Sequence, residues 1–419
     1  MLLVGVVLTV LVCGSGVAGV AGDATTEAAP AADESVRREM ADANNAFAID
    51  LYRALGPLEG NLVMSPLSAG AVLALAWMGA AGRTAEQLGA ALHLPSASHE
   101  RVAQGVRALF DTLQGSEGVE VRVANKMFVH PNFTVKAAFR QRAVDSFRSG
   151  ADAVDFRSEN EAARQAINQW VEAATQGKIR DLFATGQLSQ DSVLVLVNAI
   201  YFKGEWLKAF KPNQTVDEPF HSSSADSVQV PMMRGTFRAG HTRLREHNAS
   251  AVELLYKGSS MRMLILLPDE VDGLPRLEEN LDSINFTALN FYPWEVEIKM
   301  PKFKIESKLA LKEPLSRLGV TDLFTPSANL SGLTDVPNVS VSKVLQKAFV
   351  EVNEKGTEAA VATAVEFVAR SGRRRISFTC DHPFLFFIQG ADRTILFMGR
   401  VASPSAAASP NVVASPNEA

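Results

Sequence analysis

Hydrophobic positions along the chain follow two different spacings. Between Val36 and Leu55, Met40, Phe47, Leu51 and Leu55 recur at intervals of four or seven, the stripe of an amphipathic helix. After Asn61-Leu62-Val63-Met64, Ser65 and Pro66 stand where an N-cap and a first helical residue belong, and the Ala- and Leu-rich run beyond them predicts a helix through Met78. Residues 98 to 114 and 160 to 176 read as further helices, the second with Ile167, Trp170 and Val171 and an end at Gly177-Lys178-Ile179. Other stretches have strand character. Asp191 to Trp206 is a near-continuous aliphatic run bounded by turn residues, which predicts a strand buried on both faces, and its lone polar member, Asn198, needs a partner. From Trp294 to Glu306, Val296, Ile298 and Met300 alternate with Glu295, Glu297 and Lys299, as in a half-buried strand.

The stretch from Glu354 to Ser371 changes character halfway. Thr357 to Ala364 are small or β-branched, with no Pro and nothing larger than Glu358, which suits a segment that must enter a close-packed sheet. Alternation puts Thr357, Ala359, Val361 and Thr363 on one face and Glu358, Ala360, Ala362 and Ala364 on the other, so the charge falls on the face that stays wet. From Val365 to Arg370 the chain becomes an apolar approach to a cation, followed by small Ser371 and Gly372, the form of a protease's bait. These halves describe a loop with two fates.

Composition narrows the class. An apolar fraction of 47% in 419 residues allows a large core, and a formal net charge of −5 argues against nucleic acid as the main partner. Residues 2 to 12 form an apolar run too short to span a bilayer, followed by small residues through Gly22, so 1–22 is read as a signal peptide and 23–35 as a flexible leader. Removal of Cys13 with that segment leaves Cys380 alone, without a disulfide and read as a buried thiol. Sequons at Asn132, Asn213, Asn248, Asn285, Asn329 and Asn338 mark candidate glycosylation sites, several of them expected to be used. Ser403 onward is rich in Ser, Pro and Ala, and 405–419 is read as a disordered tail with no retention tetrapeptide. Gly14 to Gly19 fits a dinucleotide glycine pattern, but within the signal segment and without its strand, helix and acid. No metal-ligand spacing, phosphate loop or nucleophile elbow occurs, so neither cofactor, metal nor enzymatic activity is expected.

Glu354-Lys355-Gly356-Thr357-Glu358-Ala359-Ala360 resembles the proximal hinge of an inhibitory serpin, and Ile376 to Ile388 with Ile395 to Val401 resemble that family's C-terminal signature and closing strands. The resemblance covers about 36–404 and implies one α+β domain with a large central sheet, further sheets, about nine helices and an exposed reactive loop at about 354–375. Family spacing, counted from Glu354 as the first of seventeen residues, makes Arg370–Ser371 the bond attacked. The resemblance further implies that Ser65, Ser68 and Asn198 hold the central sheet shut and that Trp206 packs where the loop enters. Opposite Asn198 the family commonly has His; the matching residue here is Gln346, an amide that donates and accepts. Lys302 is implied as the partner of Glu354, and Ser342 to Asn353 as the strand that delivers the loop. In the helix at 98–114 some members bind heparin through a basic row, but here Arg101 and Arg107 are offset by Glu100 and Asp111.

The implied function is a secreted, monomeric suicide-substrate inhibitor that traps trypsin-like serine proteases covalently, with no nucleic-acid or membrane partner. The alternative is a non-inhibitory serpin, a carrier or chaperone. Such members tend to carry Pro, charge or bulk on the inserting face, and Thr357, Ala359, Val361 and Thr363 carry none. Arg373, Arg374 and Arg375 just beyond the bond are read as steering an acidic protease surface or a polyanion.

Overall fold

The computed structural model describes residues 28–95, 98–113, 118–356 and 375–404, with side chains from Glu34 onward. The helices are α1 (Ala28–Ala54), α2 (Pro66–Gly79), α3 (Gly82–Ala91), α4 (His99–Asp111), α5 (Ala137–Phe147), α6 (Asn160–Ala174), α7 (Leu274–Glu279) and α8 (Lys312–Arg317). The strands are β1 (Leu62–Met64), β2 (Val119–Val129), β3 (Ser149–Ala153), β4 (Leu194–Gly204), β5 (Val216–His221), β6 (Ser227–Leu244), β7 (Ala249–Leu255), β8 (Arg262–Pro268), β9 (Tyr292–Pro301), β10 (Phe303–Ala310), β11 (Lys343–Val352), β12 (Ile376–Thr379), β13 (Phe384–Gln389) and β14 (Ile395–Val401). The fold class is α+β, with eight α-helices among the described residues where about nine were expected.

A five-stranded sheet runs in the order β10-β11-β4-β2-β3, and a nine-stranded sheet runs β1-β14-β13-β8-β7-β6-β9-β12 with β5 paired to β6. One core lies against α1 and α2, where Phe47, Leu51 and Val72 meet Phe202, Phe386 and Phe397. A second lies under α6, where Ile167 and Val171 cover Phe128, Val197, Tyr201 and Phe349. The five-stranded sheet is therefore apolar on both sides, which is why β4 reads as an unbroken aliphatic run.

Two expectations change. The single strand expected from Trp294 to Glu306 is two strands in different sheets: β9 ends at Pro301, which has no N–H to offer, and β10 pairs with β11 from Phe303↔Val352 onward. Buried positions shift phase at that corner, from Met300 to Phe303. And α1 begins at Ala28, inside the segment read as a leader. Ala-rich sequence has high helix propensity, and spaced pairs such as Arg38–Glu34 and Ser35–Glu39 add to it. The expected signal segment 1–22 and tail 405–419 lie outside the described residues.

Candidate functional site

In the five-stranded sheet β11 and β4 are parallel neighbours, in register from Lys343↔Val195 to Val350↔Phe202. A buried row of polar side chains crosses this seam. The Ser65 N–H donates to Gln346 Oε1 (2.9 Å), and Gln346 Nε2 donates to the Ser65 carbonyl (2.8 Å). The backbone of Ser65 thus fixes which way the Gln346 amide faces. Its Nε2 also donates to Asn198 Oδ1 (2.6 Å), so Asn198 Nδ2 must point onward, to Ser68 Oγ and Asn125 Oδ1. Ser68 Oγ donates to the same Asn125 oxygen (3.2 Å), and Ser65 Oγ donates to the Leu396 carbonyl (2.6 Å) while accepting from the Ser68 N–H (3.3 Å) as the N-cap of α2. Burial is complete at Ser65, Ser68, Asn198 and Gln346. The cluster joins α2 to four strands, β2, β4, β11 and β14, through amides and hydroxyls, none of which titrates.

Asn125 was not foreseen. It stands on β2 opposite Asn198, and a polar residue in a strand gives no sign of a partner so distant in sequence. The sign available was Asn198 itself, a buried amide with two donors and two acceptor sites to be partnered.

Above the seam β11 ends in a tight turn. Asn353 N–H donates to the Gly356 carbonyl (2.8 Å) and Gly356 N–H to the Asn353 carbonyl (3.1 Å). Gly356 has φ +124°, and a Cβ there would stand 2.0 Å from the Gly204 carbonyl oxygen, so only glycine fits. The chain is pinned to the segment after β4: Trp206 N–H donates to the Lys355 carbonyl (2.9 Å), Phe210 N–H to the Glu354 carbonyl (2.8 Å), and the Trp206 indole to the Asn353 carbonyl (3.0 Å). The Trp206 ring stacks on Tyr256 with centroids 4.8 Å apart. Glu354 accepts from Thr215 Oγ1 (2.9 Å) and lies 3.1 Å from Lys302 Nζ, which the β9–β10 corner supplies. Burial opposes its ionisation, but its own backbone N–H and the bonds from Lys302 and Thr215 outweigh that and hold the carboxyl below the ordinary range.

Among the other residues singled out from sequence, Thr357, Glu358, Ala359, Ala360, Arg370, Ser371, Arg373 and Arg374 lie outside the described residues. Arg375 meets Glu295 at 3.2 Å. All six sequon asparagines are exposed and lie outside the strands. On α4, Arg101 is taken up by Glu39 of α1 (2.6 Å) and Arg107 faces Asp111 (3.9 Å). Cys380 is buried, which pushes its thiol up, with the Asp381 charge adding to the effect. His382 is occupied by Asp381 (2.7 Å) and the Pro268 carbonyl (2.9 Å). Among the described residues no group of His, Cys, Asp and Glu could hold a metal ion.

The family model described as serpin (serine protease inhibitor) matches residues 42–404. The chain is 42% identical over 348 residues to serine protease inhibitor 42Dd of Drosophila melanogaster, covering 82% of this chain and 91% of that one. It is 39% identical over 368 residues to Iris of Ixodes ricinus, covering 85% and 96%. Among solved structures, Serpin48 of the insect Tenebrio molitor, a highly specific serpin, superposes with a TM-score of 0.81 at 34% identity, covering 87% of this chain and 98% of that one.

Proposed function

The chain belongs to the serpin family, a family of protease inhibitors, and on that premise we propose that it is a secreted, glycosylated, single-use inhibitor of trypsin-like serine proteases. Arg370 fills a primary pocket floored by a carboxylate, where a charge-assisted bond is stronger than a neutral one. The protease serine attacks the Arg370 carbonyl carbon, the peptide bond to Ser371 breaks, and the amine of Ser371 departs as the acyl ester forms. Thr357 to Ala369 then inserts between β11 and β4, a movement for which this family is itself the established example. Thirteen residues at about 3.3 Å each span roughly 43 Å, enough to carry a tethered protease the length of a domain and distort its active site before the ester is hydrolysed.

The observation that carries this reading is the parallel β11–β4 seam directly beneath the start of the loop. A strand that follows β11 and folds back runs antiparallel to both neighbours, so insertion exchanges one parallel pairing for two antiparallel ones, which are somewhat more stable per residue. Arg373, Arg374 and Arg375 are assigned to steering an acidic protease surface toward the loop, an effect that salt screens over about 8 to 10 Å.

Mixing with stoichiometric trypsin tests the proposal. A band that resists boiling in detergent, with the acyl bond mapped to Arg370, is the expected result; cleaved protein alone sinks the reading. The cleaved form should also melt well above the intact one, and equal melting temperatures would sink insertion.

A further inference from the structure

The outer strand pair of the five-stranded sheet brings together lysines that have too few carboxylates. Lys308 of β10 stands directly opposite Lys347 of β11 in the antiparallel register, and Lys343 lies four residues before Lys347 on the same strand. Like charges placed opposite one another weaken a sheet. The nearby carboxylate is already taken, since Glu306 holds Lys347 at 2.6 Å, and Lys304 lies over the ring of Phe349. Lys308 itself has no carboxylate partner among the described residues. Its Nζ donates to the neutral amide oxygen of Gln187 and lies 5.7 Å from the centre of the Phe183 ring, both on the segment that joins α6 to β4.

Such a place disfavours an ammonium and favours an anion. Burial first, then the charges of Lys347 and Lys343, push the Lys308 amine down to about 8. At pH 7.4 about one such amine in five is neutral, against about one in a thousand for a lysine at its ordinary value near 10.4. An adduct that ends in a negative charge meets a donor at once. The Lys347 ammonium has three protons, and Glu306 and the Arg180 carbonyl take two of them, which leaves one to give. Arg180 contributes only that carbonyl, because its guanidinium pairs with Glu172 at 3.0 Å. The neighbouring lysines therefore act twice, first by driving a proton off Lys308 and then by holding an anionic product.

We propose that Lys308 is a carbon dioxide site, forming a reversible carbamate that pairs with Lys347 and Lys343. The Nζ lone pair of the neutral amine forms the N–C bond, one C=O electron pair of carbon dioxide moves onto oxygen, and a proton leaves the nitrogen for solvent. Amine and carbon dioxide thus give a carbamate anion and one proton, with no other reactant. The N–H that remains keeps a donor for Gln187. Repulsion between β10 and β11 becomes attraction, so carbon dioxide favours the folded, closed sheet, as any ligand of the native state does. The site is independent of the inhibitor reading, because it uses no residue of the reactive loop.

Chemical trapping tests the proposal on the full chain. The protein is equilibrated with carbon-13 bicarbonate at pH 7.4, treated with triethyloxonium ion, which fixes carbamates as ethyl esters, and mapped by peptide mass spectrometry. Lys308 should carry the isotope at more than about tenfold the mean of the other lysines, in line with its larger neutral fraction. Lys347→Gln removes the opposing charge and the counter-ion together and should lower that label about tenfold, whereas Glu306→Gln releases Lys347 and should raise it. If Lys347→Gln does not fold, a carbamate resonance in the carbon-13 spectrum of wild type that is lost in Lys308→Arg gives the same decision. Label spread evenly over the lysines, label indifferent to both substitutions, or a spectrum unchanged in Lys308→Arg would overturn the proposal. A Lys308 that acetic anhydride modifies preferentially but that takes up no isotope would overturn it too, since that marks a reactive amine with no anion site.

Discussion

The β11–β4 seam is held at two levels by opposite chemistry. At mid-height Gln346, Asn198, Asn125, Ser68 and Ser65 form a buried, uncharged cluster whose polarity is set by one backbone. At the top Lys302 and Glu354 form an ion pair whose lysine side chain is 38% exposed. Cutting the buried cluster leaves donors and acceptors that water does not reach, whereas cutting the ion pair returns the lysine to solvent and leaves Glu354 with its bonds from Thr215 and its own backbone N–H. The upper level is therefore the weaker and the more responsive to salt and pH. On the proposed mechanism the inserting strand follows Gly356, so the seam is weakest at the level where that strand would enter.

The largest effect is expected just beyond the upper level. Thr357→Arg puts an unpaired cation on the inserting face, and burial of an isolated charge is costly enough to delay insertion until deacylation has won. The variant should be cut by trypsin but not trap it, read as loss of the detergent-stable complex. Unchanged stoichiometry would mean that residue 357 does not face inward.

Next comes the middle of the seam. Gln346→Ala strands the Ser65 N–H, the Ser65 carbonyl and Asn198 Oδ1 and leaves a cavity, for a loss of about 3 kcal/mol. Equilibrium denaturation should give the same loss at pH 5 and pH 8 and at low and high salt, since no member of the cluster titrates. A loss that varies with pH would show that a neighbouring charge contributes.

Much of this contrast is legible in the amino-acid sequence. Spacing of Met40, Phe47, Leu51 and Leu55 locates α1, and the aliphatic run around Asn198 locates the seam's inner strand, because each pattern lies within one element. Within the stretch that the family resemblance singles out, the structure shows a tight turn at Gly356, whose backbone admits no side chain. What periodicity does not reach is assembly. Asn125 and Thr215 lie on other elements from the groups they bind, and the β9–β10 corner interrupts alternation by a single residue.

The smallest effect is expected at the ion pair, and its pH dependence has a definite sign. The Glu354 carboxyl is held below its ordinary value in the folded protein, so between its folded pKa and an unfolded value near 4.3 the unfolded chain binds more protons and stability rises with pH. The contribution is fully present above that unfolded value and is lost as pH falls through the folded one. Exposure of Lys302 limits it to about 1 kcal/mol or less. Glu354→Gln keeps an acceptor for Thr215 and removes the charge. It should therefore lower stability slightly at pH 7 in dilute salt, less in 1 M salt, and not at all once pH has fallen below the folded carboxyl's range. Denaturant titrations of both proteins across those conditions give the comparison directly. A deficit that persists at low pH would assign Glu354's role to packing beneath the turn, and the seam's two levels would then differ in strength but not in kind.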